Sequence, residues 1–149
     1  MTPIADIIVY SRDRRLVLAV ETTGLSESTA QDATALRRNF IVHQLLPKTA
    51  FFLFVSPTAM FLWRQEALPS APPDCEVSAD AVLNHYRSEE SGEWAMTKGE
   101  LEIVVLHWLC RITNGLREAD PASPPERMLI ESGLYEQIRN GDVQFDNQS

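Results

Sequence analysis

The sequence holds few of the residues that build metal, redox or covalent chemistry. Two cysteines occur in 149 residues, Cys75 and Cys110. They have no metal-ligand spacing and make no disulfide framework; both are expected as buried small hydrophobes. The three histidines, His43, His85 and His107, share no ligand spacing with each other or with the cysteines. No Ser/His/Asp arrangement, phosphate-binding glycine loop or zinc pattern is present. No run of 18 apolar residues occurs, so no transmembrane helix and no membrane partner are expected. The opening stretch MTPIADIIVY lacks a basic segment and a small-residue cleavage site, so no signal peptide is expected and a cytoplasmic location is the default. Lysine is also scarce, with Lys48 and Lys98 alone.

What is there suits one domain with a real core. Apolar residues make up 44% and charged residues 23%, ordinary values for a globular chain. The net charge of −8 argues against a protein coated for nucleic acid. The charge is uneven, however. Residues 1–64 carry seven Lys/Arg against five Asp/Glu, a balance of +2, whereas residues 65–149 carry six against sixteen, a balance of −10. Any phosphate contact is therefore expected from the first part.

Residues 4–24 organise the chain. Two apolar runs rich in β-branched residues, Ile7 to Tyr10 and Leu16 to Val20, flank the polar turn Ser11-Arg12-Asp13-Arg14-Arg15. This is a β-hairpin pattern. With the turn centred between Asp13 and Arg14, Asp6 falls opposite Glu21, Ile8 opposite Ala19 and Tyr10 opposite Val17. Opposed residues share a face with Cβ atoms roughly 5 Å apart, and Thr23 joins that face by the period-2 rule. Two carboxylates so placed repel and call for compensation. A bound Mg²⁺ or Mn²⁺ is one answer, a shared proton another. A register off by one, or frayed ends in solvent, is a third.

Asp6, the Glu21-Thr22-Thr23 triplet and the helix and apolar strand that follow resemble the PD-(D/E)xK nuclease superfamily. The closer likeness is to small bacterial members related to the amino-terminal domain of type I restriction subunits. The matching stretch runs from about Pro3 to Arg64. The resemblance implies a restriction-endonuclease-like mixed β-sheet flanked by helices, and metal-dependent cleavage of nucleic acid, DNA in the first instance. It assigns Asp6 and Glu21 to a divalent metal, Mg²⁺ or Mn²⁺. The motif lysine, which orients or activates the attacking water, falls at Thr23, a departure that implies weak or absent cleavage. A helical polar residue that the family often places near the site matches Gln31. In the family a helix, and often a strand, precedes the Asp. The expectation here is a misplaced start, a trimmed protein, or an element supplied by a partner protein or by a second copy in a homodimer.

The rest of the chain extends this α/β pattern. Residues 27–46 are expected as a helix capped by Ser26 or Ser28 and ended by Pro47, with Ala33, Leu36, Phe40 and Ile41 as its apolar stripe. The strand at 50–56 should then run parallel to that at 16–21, and Ala59 to Arg64 should return as a further strand. A proline-bearing linker is expected at 65–75 and a helical C-terminal part at 76–149. In that part Ser78 caps a short helix, Ala79 to Arg87, and a polar loop runs from Ser88 to Glu93. Thr97-Lys98-Gly99-Glu100 is a capping box for a buried helix reaching about Leu116 that carries His107 as a core residue. Ser123-Pro124-Pro125-Glu126 is a second box, for a helix through Arg139 that Gly133 can interrupt. Val143 to Phe145 fits an edge strand.

A cleavage site also needs a cation for the developing charge. Lys98 lies far along the chain and Lys48 enters at the wrong end of the sheet. Arg37 and Arg38 are expected as solvated helix residues. Thr23 can orient water but carries no charge. The Arg-rich turn at residues 12–15 is expected as a soluble hairpin tip. The competing class is a non-catalytic interaction module using the helix at 97–116 and the aromatic strands at 51–63, whose plain alternative is core packing.

Overall fold

The computed structural model describes residues 6–25, 28–46, 49–64, 67–84, 97–116 and 118–145. Lys48, Ser26, His85 and the Ser88 to Glu93 loop lie outside the described residues.

The hairpin forms as β1 (Ile7–Tyr10) and β2 (Leu16–Thr22). Ile8 stands opposite Ala19, as the turn position dictates, but Tyr10 pairs with Leu16 and not Val17 because the register shifts between Val9 and Tyr10. The turn causes this. Ser11 N–H donates to Arg15 C=O at 2.8 Å, Arg14 N–H donates back to Ser11 C=O at 3.0 Å, and Arg14 takes φ +70°. Closing the loop this tightly leaves one residue of β2 unpaired.

From β2 the chain crosses through α1 (Ala30–Val42) to β3 (Phe51–Val55), parallel to β2, and turns back antiparallel as β4 (Ala59–Arg64). Helix α1 is shorter than the apolar pattern suggested. Its N-cap is Thr29, whose hydroxyl accepts from Asp32 N–H while Asp32 accepts from Thr29 N–H. Ser28 instead donates its hydroxyl to Leu25 C=O.

The segment read as a linker packs on the core and then adds β5 (Cys75–Ser78) beside β4. Short helix α2 (Asp80–Leu83) follows. Ser78 accepts from Asp80 N–H, but Ala79 is the N-cap residue. Thr97 and Glu100 form the expected capping box at the head of α3 (Lys98–Thr113). Ser123 makes no side-chain cap for α4 (Pro124–Glu131), because Glu126 is drawn inward. One of its oxygens accepts from Trp108 Nε1–H at 3.1 Å and the other from Asp120 N–H at 2.8 Å. Gly133, at φ +86°, breaks the chain into α5 (Leu134–Ile138). Strand β6 (Asp142–Phe145) then pairs antiparallel with β1.

The result is an α/β architecture built on one six-stranded mixed sheet, in the order β5-β4-β3-β2-β1-β6. Alternation along β2 and β3 divides two cores. Leu18, Val20, Leu53 and Val55 pack with α3, α4 and α5 residues such as Leu101, Val105, Leu109, Leu129 and Ile138. Ala19, Phe52, Phe54, Phe61 and Trp63 face α1 through Ala33 and Leu36. The aromatic strand residues are thus interior, with Trp63 fully buried. Helix α3 is not buried all round, since His107 is exposed and Ile103 is half exposed. Among the described residues no helix is long and apolar enough to cross a membrane.

Arg37 is the main reversal on α1. It is 4% exposed, not solvated. Its guanidinium lies over the Trp63 ring at 5.5 Å and donates to Ala67 C=O and Leu68 C=O at 3.0 and 2.9 Å. The stem and planar head of arginine suit this combined stacking and forked donation. Arg38 is exposed as expected.

At Gly141 a side chain has no room. A Cβ there would stand 2.0 Å from Tyr10 O and 3.0 Å from Ile138 O, both backbone atoms. Gly141→Ala is expected to destabilise the protein by about 1–3 kcal/mol and to raise hydrogen exchange at the β1–β6 amides. Unchanged exchange there would show that the strand end shifts without loss.

Candidate functional site

The two acids meet at the end of the sheet where β2 finishes. Asp6 immediately precedes β1, and its N–H donates to Val20 C=O at 2.9 Å. Its Oδ2 accepts from Thr22 N–H at 2.8 Å and from Thr22 Oγ1–H at 3.0 Å, so the carboxylate caps the strand end. Glu21 is the penultimate residue of β2 and is 8% exposed. Its Oε2 is buried and accepts no hydrogen bond.

The cation comes from α3. Lys98, the first residue of that helix, donates from Nζ to Asp6 Oδ2 at 2.5 Å, to Glu21 Oε1 at 3.2 Å, and to Thr22 C=O at 2.8 Å. The same ammonium lies 3.2 Å from Thr22 Oγ1 and 3.3 Å from Glu102 Oε1, one helical turn on. The capping box fixes the start of α3, which sets where the lysine stem begins. Packing of α3 on β2 brings that start to the strand end, and the four-carbon stem closes the remaining distance.

Electrostatics divide the two acids. Burial pushes the Asp6 carboxyl up, but the hydrogen bonds from Lys98 and Thr22 outweigh it and hold the group below the ordinary aspartate value. Burial, then the neighbouring Asp6 charge, push Glu21 up to about 8, with Lys98 opposing. Glu21 therefore holds a proton at neutral pH while Asp6 is ionised, the ordinary outcome for two carboxyl groups sharing a site. Burial works against the Lys98 charge, yet its bonds to Asp6 and Glu21 prevail and raise its pKa. Glu102 is raised, first by burial and then by the Asp6 charge.

The other candidates are elsewhere. Thr23 N–H donates to Val55 C=O, extending the β2–β3 ladder, and its hydroxyl accepts from Leu25 N–H at 3.2 Å. It thus builds the turn after the strand, and no bond joins it to the acids. Thr22, one residue earlier, makes the contacts the alternation gave to Thr23. Gln31 is exposed on the first turn of α1. The Arg-rich tip lies at the far end of the hairpin from Asp6.

Lys98 was the residue that local pattern missed, since 92 positions separate it from Asp6. One signal existed. A lysine in the first turn opposes the helix dipole, so its presence in the Thr97 box points to acidic partners, which here are Glu102 on the same helix and Asp6 and Glu21 beyond it.

Asp6 and Glu21, with the Thr22 carbonyl beside them, are the oxygens that could hold a divalent ion. Among the described residues no group of three His, Cys, Asp or Glu side chains is arranged to hold a metal. Two carboxylates completed by water still meet what Mg²⁺ requires, and the unbonded Glu21 Oε2 is an oxygen free for that purpose. Comparison with protein-family models, with curated proteins and with solved structures finds no match for this chain.

Proposed function

We propose that the protein is a nuclease-like domain of the PD-(D/E)xK type that acts on nucleic acid, DNA in the first instance, with Lys98 serving in place of the lysine that Thr23 displaces. The observation that carries this reading is the Lys98 ammonium, 2.5 Å from Asp6 and 3.2 Å from Glu21. Two acids and a lysine are the set that the resemblance calls for in metal-dependent phosphodiester hydrolysis, and all three stand together beside one strand end. Asp6 and Glu21 would hold Mg²⁺ or Mn²⁺, which supplies Lewis-acid stabilisation of the phosphate and an acidified water. Lys98, once its carboxylate partners are engaged, offers a charged donor to water or to a phosphate oxygen. Glu102 keeps the ammonium near the strand end.

The test is plasmid nicking and single-strand cleavage with Mn²⁺ or Mg²⁺, at pH 8.5 so that Glu21 is largely ionised. Wild type is expected to nick slowly. Glu21→Gln should lose that activity, and Lys98→Met should reduce it about a hundredfold, in the range general acid–base groups contribute. Nicking by Lys98→Met at the wild-type rate would remove Lys98 from the mechanism. No nicking by wild type on either substrate would reject the nuclease reading.

A further inference from the structure

Lys98 sits against the two acids that would hold a metal ion. Its ammonium is bonded at once to Asp6 Oδ2, Glu21 Oε1 and the Thr22 carbonyl, the three oxygens that face the strand end. A divalent ion drawing on Asp6 and Glu21, even one that used the unbonded Glu21 Oε2, would lie within a few ångströms of that ammonium, and two cations so close repel strongly in a site this enclosed. The lysine can leave. Its side chain is 46% exposed, while those of Asp6 and Glu21 are 15% and 10% exposed. The stem therefore has solvent to swing into and the acids do not. Glu102, at 3.3 Å and 24% exposed, lies toward the outside of the cluster and offers the departing ammonium a second partner on the same helix.

We propose that Lys98 is a built-in competitor for the metal: seated on Asp6 and Glu21 it keeps the site closed to divalent ions, and metal entry moves it toward Glu102. This rests on the reading of the two acids as a metal site and deepens it, adding a resting state that the ion must displace. The ammonium charge is what makes the resting state stable. Without it, Asp6 would lie beside Glu21 with no cation at all.

The consequence is a tax on affinity. The apparent Kd equals the intrinsic Kd divided by the fraction of molecules in which Lys98 is unseated. With the lysine seated nine-tenths of the time, removing it tightens binding about tenfold. Calorimetric titration with Mn²⁺ at pH 8.5 should accordingly give Lys98→Met a Kd about tenfold lower than wild type. Asp6→Asn should bind no metal in either background. An equal or weaker Kd for Lys98→Met, with wild type binding, overturns the competition and leaves the metal site standing. Binding by neither protein overturns the metal site and the competition together.

A second measurement uses the wild type and needs no substitution to fold. Two lysines occur in the chain, and ¹³C-lysine labelling resolves them by NMR. Adding Mg²⁺ should shift the Lys98 Cε signal while leaving that of Lys48 in place. A Lys98 signal unmoved at saturating Mg²⁺ overturns the proposal.

Discussion

Without metal, Glu21→Gln will resist urea better than wild type at pH 8 and lose that advantage at pH 5. The carboxyl releases its proton near 4.5 in the unfolded chain and near 8 in the folded one. Between those values the native state binds more protons than the unfolded state, so stability falls as pH rises through the window. Below 4.5 both states are protonated, and above 8 both are ionised, so this group adds no further slope. The accumulated loss is on the order of 3–5 kcal/mol. Glutamine stays neutral at every pH and escapes it. Asp6 has the opposite sign outside this window: its lowered pKa contributes stability above about 3.8 that disappears as pH falls through the native value. Lys98, raised above 10.5, contributes below that value and loses its contribution as pH rises through its native pKa. The measurement is a set of urea midpoints for both proteins at pH 5, 6.5 and 8 with chelator present. A constant gap across the series would mean that Glu21 is ionised throughout and that Lys98 neutralises both acids.

Trp63→Ala should be the most damaging single change on the α1 side of the sheet. Trp63 is fully buried, lies 5.7 Å from the Phe52 ring and donates its Nε1–H to Ala71 C=O at 3.0 Å. Truncation leaves a large cavity, which costs about 3–5 kcal/mol for an aromatic-to-alanine change. It also removes the surface over which Arg37 stacks. Arg37 Nε is already buried without a partner, so the guanidinium is held by the ring and by the carbonyls of Ala67 and Leu68. The melting temperature should drop by about 10 °C, taking 2–4 °C per kcal/mol for a chain of this size. A double-mutant cycle with Arg37→Met should show that the two changes are not additive. Strict additivity would separate the arginine from the ring.

These two sites show which interactions a sequence displays. The β1–β2 hairpin and the Thr97 box are set by residues within a few positions of one another, the parallel β2–α1–β3 crossover by three consecutive patterned segments with short links, and each was legible. The meeting of Asp6 with Glu21 was legible for the same reason, because hairpin register is counted from the turn. Lys98 was not, since packing of α3 against β2 brings it there and no local spacing encodes that packing. Arg37 read as solvated because a charge on a mid-helix position usually is. Its burial depends on two carbonyls and an indole contributed by distant segments. Strand β5 was hidden by the prolines before Cys75, and the second capping box failed because Glu126 found stronger partners in the core than the helix end offered. Thr23 lost its place to Thr22 because the strand end bends Thr23 into the following turn. Hairpin register therefore brought the two acids together, and tertiary packing brought the lysine to them.

The pairing of β6 with β1 has a bearing on how the chain is made. During synthesis the hairpin and the β2–α1–β3 unit emerge early, and the outer edge of β1 stays bare until residues 142–145 arrive. An uncovered strand edge is a template for pairing with other chains. The interval between translating Tyr10 and translating Phe145 is thus the period of greatest exposure to misassembly, and a ribosome paused late in the message would prolong it.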